Sequence, residues 1–173
     1  PNTNWRNDLA NQEILMLGTE ATFFSDTVTT ELWNNAYVDN SDTFKNISTR
    51  GASRYLQYQG AHKWYTAASA SAGSTISTEI NTTPKMTLDV SGNLLVGVTS
   101  TAIPGIGNTT NGVSIRSGGN NSIAVSRDGD VAGYFNRNTS DGSIAEFRKA
   151  GSTVGSIRSY AGTRLGIGSN GGT

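Results

Sequence analysis

His62 is the only histidine in a chain of 173 residues, and there is no cysteine. These two counts remove most side-chain chemistry at once. A Ser-His-Asp triad has to use His62. No Gly-x-Ser-x-Gly stretch accompanies it, and Trp64 and Tyr65 beside it predict a packed strand. A lone histidine without thiolates also argues against a zinc centre. Carboxylates remain. Asp26, Asp39, Asp42, Asp128, Asp130 and Asp141 include close pairs, which elsewhere cleave glycosides or hold Ca²⁺. Each lies among Ser, Asn or Gly, where Asp bonds its own backbone in a turn. Asp128 and Asp130 are the best cation candidates, although the Asp-x-Asp-x-Asp-Gly spacing of a calcium loop is missing. Gly105-Ile-Gly107 and Gly166-Ile-Gly168 lack the third glycine or Lys-Ser/Thr of phosphate loops and read as turn glycines. No catalytic residue, no resident metal and no cofactor are expected.

Aromatic side chains offer the other chemistry. Trp33, Tyr37, Tyr55, Tyr58, Trp64 and Tyr65 crowd one stretch. Exposed, such rings stack on sugars, because they combine a large apolar face with a polar tip. Trp33, Tyr37, Tyr55, His62, Trp64 and Tyr65 are then the candidates for gripping a bacterial surface glycan. Buried, the same aromatics are a core. They are not interleaved with arrays of Lys and Arg, as a nucleic-acid platform requires. Lys plus Arg number 13 and Asp plus Glu number 13, so there is no net charge to attract nucleic acid or an anionic membrane. No run approaches the ~18 apolar residues of a membrane span.

The elements that must position these residues read as strands. Only 15% of residues are charged and 21 are glycine, so the surface is covered by hydroxyls and amides. Met86, Leu88 and Val90 alternate with polar neighbours, the period of a half-buried strand. Ser91-Gly92-Asn93 supplies a turn, and Leu94-Leu95-Val96 begins the next strand. Earlier, Ala21 to Val28, Thr29 to Trp33, the segment holding Tyr37, Ser53 to Tyr58, His62 to Thr66 and Thr75 to Ile80 all predict strands. Asp39 to Asp42 and Thr49 to Gly51 predict turns. This spacing points to an all-β protein of short strands with Gly, Asn and Asp turns. Residues 1–20 read as an arm or linker. A short helix capped by Asn7 or Asp8, running through Leu9, Glu13, Ile14 and Leu17 to Gly18, is the alternative there.

The order Asn35-Ala36-Tyr37, Arg50-Gly51-Ala52, Tyr55, Gly60-Ala61-His62-Lys63-Trp64, Ala72-Gly73, Ile76, Met86-Thr-Leu-Asp89 and Ser91-Gly-Asn-Leu-Leu-Val-Gly97 resembles a module of tail fibres and tail spikes of tailed bacteriophages. It covers roughly residues 33–100. Where that module often continues Gly-Thr-Thr, this chain has Gly97-Val98-Thr99. The resemblance implies a virion location, other tail proteins as partners, and a role in host attachment. The chain starts at Pro1 and stops at Gly-Gly-Thr in mid-pattern, so a piece of a longer polypeptide is expected.

The last third looks repetitive. Ala124 to Phe135 can be laid on Ala145 to Ile157 at an offset of 21 to 22 residues. A unit of ~20 residues cannot bury its own apolar face and must stack on neighbours. Val113, Ile115, Ile123, Val125, Val131, Phe135, Ile144, Phe147, Val154, Ile157, Leu165 and Ile167 form the expected inward set. The fibre resemblance implies that the neighbours are two sister chains, an intertwined homotrimer. The expected layout is an arm (1–20), an aromatic-rich, sandwich-like β module (21–100) and a repetitive β-hairpin fibre section (101–173). The leading expectation is a structural, non-catalytic segment of a tail fibre or spike that positions a receptor-binding tip. A glycan-binding module is the alternative, and a polysaccharide-degrading spike fragment stands third.

Overall fold

The computed structural model describes residues 13–98, 102–117 and 121–169. They fall into two compact units, 1–130 and 131–173. The first holds β1 (Glu13–Leu17), β2 (Ala21–Ser25), β3 (Thr29–Asn34), β4 (Ala36–Val38), β5 (Phe44–Asn46), β6 (Ala52–Tyr58) and β7 (Ala61–Ala67). It continues with β8 (Met86–Leu88), β9 (Leu94–Val96), β10 (Gly112–Arg116) and β11 (Ser122–Ser126). Nine of these form one antiparallel sheet in the order β1-β2-β3-β6-β7-β8-β9-β10-β11. β4 and β5 leave the sheet as a separate hairpin. β9 pairs directly with β10, so the sheet runs on past residue 100.

One face of the sheet carries the core. Phe24, Trp33, Leu56 and Tyr65 are buried there together with Ala36 and Phe44 of the small hairpin, and with Ile76 and Ile80. Joints between these pieces come from residues of the motif order. Buried Asn35 donates its side-chain amide to the carbonyls of Ser48, Arg50 and Gly51 at 3.2, 2.9 and 3.3 Å. Its carbonyl oxygen accepts from the Ser48 N–H at 2.7 Å. Gly51 has no room for a side chain, since a Cβ there would lie 3.0 Å from the Ala67 carbonyl. Asn-Ala-Tyr and Arg-Gly-Ala are thus two halves of one fastening.

The opposite face is uncovered within this unit. Leu15 faces Phe23, Phe23 faces Leu32, Leu32 faces Tyr55, and Tyr55 faces Trp64 across successive strand pairs. The same row continues through Met86, Val96, Val113 and Val125. It crosses all nine strands. A second row, Leu88, Leu94, Ile115 and Ile123, adjoins it on β8 to β11. Leu32 is 48% exposed, Val96 42% and Ile123 72%.

Two expected elements are different in the structure. Residues 13–17 are a strand and not the end of a helix; Gly18, at φ +74°, turns the chain so that β1 pairs with β2. The part of that expectation before residue 13 lies outside the described residues. Thr75 to Ile80 is not a strand. Thr75 makes one isolated bridge to Lys45, and Thr78–Thr82 is a short π-helix. Ile76 and Ile80 are both buried, and the Ile80 N–H donates to the Ile76 carbonyl at 3.1 Å. Their four-residue spacing therefore serves a helical turn.

The second unit holds β12 (Gly142–Lys149), β13 (Ser152–Tyr160) and β14 (Arg164–Ser169), an antiparallel meander. None of its described residues is buried. The sequence repeat does not survive as structure. Gly129 and Gly151 share positive φ, +78° and +82°, but only the second turn leads into a strand. Residues 131–135 are irregular, and Phe135 is 80% exposed. A strand needs a partner on at least one side. β13 has two, whereas 131–135 belongs to no sheet among the described residues. The expected inward set is split as well. Phe147, Ile157 and Ile167 share a face, while alternation puts Val154 on the other. Register shifts between Ser143 and Ala145 leave Ile144 at a bulge.

Candidate functional site

The six aromatic and histidine candidates separate onto two faces. β3 and β7 direct Trp33 and Tyr65 into the core, and Tyr37 is buried on β4. Trp33 stacks on Phe24 at 5.5 Å and meets Phe44 at 5.3 Å. These three rings are enclosed and offer no face to a sugar. Tyr55, His62 and Trp64 lie on the open face instead. Tyr55 and Trp64 are 5.3 Å apart, His62 and Trp64 6.3 Å. The Tyr55 hydroxyl and His62 Nδ1 share a hydrogen bond, so His62 is held by packing and a phenol.

Two hollows flank these rings. One, of about 220 Å³, is lined by Leu32, Ser53, Tyr55, Trp64 and Thr66 with parts of Trp33, Arg54 and Tyr65. The other, about 330 Å³, lies between residues 26–30 and 57–62 and is lined by Asp26, Thr30, Gln57, Tyr58 and His62 among others. The first can seat an apolar side chain. The second is polar and open.

The residues that sequence reasoning missed lie under Trp33. Glu31 and Arg54 are 4% and 7% exposed. Arg54 grips the Glu31 carboxylate with two nitrogens, the Nη2 contact being 2.7 Å. The Trp33 indole N–H donates to the same carboxylate. Arg54 Nη1 also reaches the Ile80 carbonyl at 3.2 Å and Asn81 Oδ1 at 2.7 Å, tying the π-helix to the sheet. Its guanidinium lies 5.0 Å from the Phe44 ring and 5.4 Å from Tyr65. Burial pushes the Tyr65 phenol above its ordinary range, with Arg54 working against the rise and Glu31 adding to it. A phase signal existed: Glu31 shares a side with Trp33, and Arg54 with Ala52 and Leu56, although alternation alone does not say which side is buried.

The acidic residues are turn formers. Asp39 Oδ1 accepts from the N–H groups of Ser41 and Thr43 at 2.9 and 3.1 Å. Asp89 Oδ1 accepts from Ser91 and Asn93, both at 2.9 Å. Asp26 Oδ1 does the same for Val28 and Thr29. Backbone donors, the Ser41 N–H foremost, hold the Asp39 carboxyl below its ordinary value. For Asp26 and Asp89 desolvation pulls upward, and the hydrogen bonds together outweigh it, so both are also lowered. Asp141 accepts from the Gly162 N–H. Of the cation candidates, Asp130 pairs with Arg127 at 3.0 Å on the surface. The Asp128 backbone N–H donates to Asn111. Among the described residues no cluster of three or more His, Cys, Asp or Glu is arranged to hold a metal.

Gly105 and Gly107 do lie in a turn, at φ +76° and +66°. Asn108 closes it by donating to the carbonyls of Ile103 and Ile106. Gly166 and Gly168 are not turn residues but lie within β14. Gly166 faces Arg158, and a Cβ there would meet the Arg158 side chain at 3.4 Å. Its bareness lets the arginine lie across the strand. No family model, no curated protein and no solved structure matches the chain.

Proposed function

We propose that the chain is a structural segment of a phage tail fibre or spike, homotrimeric and carried on the virion. It holds a receptor-binding tip away from the particle and is not an enzyme. The observation that carries this reading is the second unit, residues 131–173, in which no described residue is buried. A body of that size ordinarily needs disulfides, a metal or association to be stable, and the chain has no cysteine. Interior supplied by sister chains is what a fibre provides. The motif order over residues 33–100 and the low charge point the same way.

Immunogold imaging tests the reading. Antibody raised against the chain is expected to decorate thin appendages on particles from the host culture. Label confined to free protein, with particles bare, rejects it. Sedimentation of the purified chain tests the trimer, and a stable monomer at tens of micromolar rejects that part.

A further inference from the structure

The nine-stranded sheet inverts the usual arrangement of charge. Its covered face holds the Glu31–Arg54 pair and Lys63. Its open face, from β2 to β11, includes no Asp, Glu, Lys or Arg among its strand residues. Exposed antiparallel faces are ordinarily polar. Here an apolar row crosses every strand, about 40 Å long at the usual interstrand spacing. With the adjoining row of Leu88, Leu94, Ile115 and Ile123, it leaves eight large apolar side chains 37% to 72% exposed. Contiguous apolar exposure of this kind marks an interaction surface.

We infer that this uncharged row is where copies of the chain meet, each row packing against those of its sisters. The inference rests on the self-assembling fibre reading and adds the surface that does it. Length and composition select the occupant. A sister copy presents a row of the same length, equally apolar. A row without charge gives a foreign partner no electrostatic register, the usual means of excluding wrong partners. The hollow between Leu32, Tyr55 and Trp64 receives an apolar side chain from the neighbouring copy. On this reading Tyr55 and Trp64 are contact residues between chains.

The absence of cysteine makes the test direct. Nitroxide labels are placed on single-cysteine variants Leu32→Cys and Val96→Cys in the row, and Ser41→Cys at the tip of the β4–β5 hairpin, which packs on the covered face. In the assembled protein the row labels are expected to be immobilised and to couple between copies, and the Ser41 label to move freely. A trimer in which row and hairpin labels are equally mobile overturns the inference and leaves the assembly reading standing. A monomeric wild type overturns both. Leu32→Lys with Val96→Lys is expected to weaken association at least about 100-fold, because unpaired charges are buried, while the near-ultraviolet signal of Trp33 is retained. Association unchanged in that variant overturns the inference; if the variant does not fold, the labels decide. A monomer whose Trp64 emission responds to an added oligosaccharide assigns the row to a glycan and also overturns it.

Discussion

Asn35 combines three roles in one side chain. It is buried, it sits at φ +55°, and it ties down the loop at residues 48–51. Asparagine tolerates this conformation better than most residues. Asn35→Ala removes the hydrogen bonds and adds backbone strain, for an expected loss of about 2–4 kcal/mol. Asn35→Gly keeps the conformation and recovers part of it. Urea unfolding measures both. Arg54→Met is more severe in kind. It leaves the buried Glu31 carboxyl without its ion-pair partner, with an expected cost of about 3–5 kcal/mol. The double variant with Glu31→Gln is expected to be more stable than Arg54→Met alone. If it is not, the pair is not what makes the single change costly.

At the scale of elements, one turn occurs twice. Asp39-Asn-Ser-Asp42-Thr43 and Asp89-Val-Ser-Gly92-Asn93 each place an Asp that accepts from residues two and four further on. Each also has positive φ at the fourth position, +57° at Asp42 and +79° at Gly92. Because the Asp26, Asp39 and Asp89 carboxyls are held below their ordinary values, folding favours their ionised forms. That contribution is fully present above the unfolded carboxyl range near pH 4 and is lost as pH falls through the lower folded values. The urea midpoint is expected to be flat from pH 7 to about 5 and to drop below about 4. Asp89→Asn is expected to lower the midpoint at pH 7, and its gap from wild type to narrow as pH falls below the unfolded carboxyl range. These turns and most strands were legible in the sequence, since Asp, Gly and Asn act locally and alternation shows directly. Three things were not. The Thr75–Ile80 segment alternates well, but Arg54 and the core claim it through the Ile80 carbonyl and side chain. The likeness of Ala124–Phe135 to Ala145–Ile157 is real at the turn glycine, yet whether a strand follows depends on a partner that no local pattern encodes. The aromatic residues gave their clustering but not their sides. Only the register through β3, β6 and β7 sends Trp33 and Tyr65 inward and Tyr55 and Trp64 outward.

At the scale of the molecule, the two units differ in what they lack. The first has an enclosed core on one side of its sheet; the second has no buried residue among those described. Residues 131–173 expressed alone are therefore expected to show no cooperative thermal transition by circular dichroism. A sharp two-state melt of that fragment as a monomer would contradict the account of how it is stabilised.

The sequential order of the large sheet also bears on synthesis. Apart from the excursion through β4 and β5, every strand hydrogen-bonds to the one made just before it, and no crossover waits for a distant partner. Each new strand therefore meets a partner already in place, without a crossover to close. The ladder can be extended hairpin by hairpin as the nascent polypeptide leaves the ribosome, at the pace of translation.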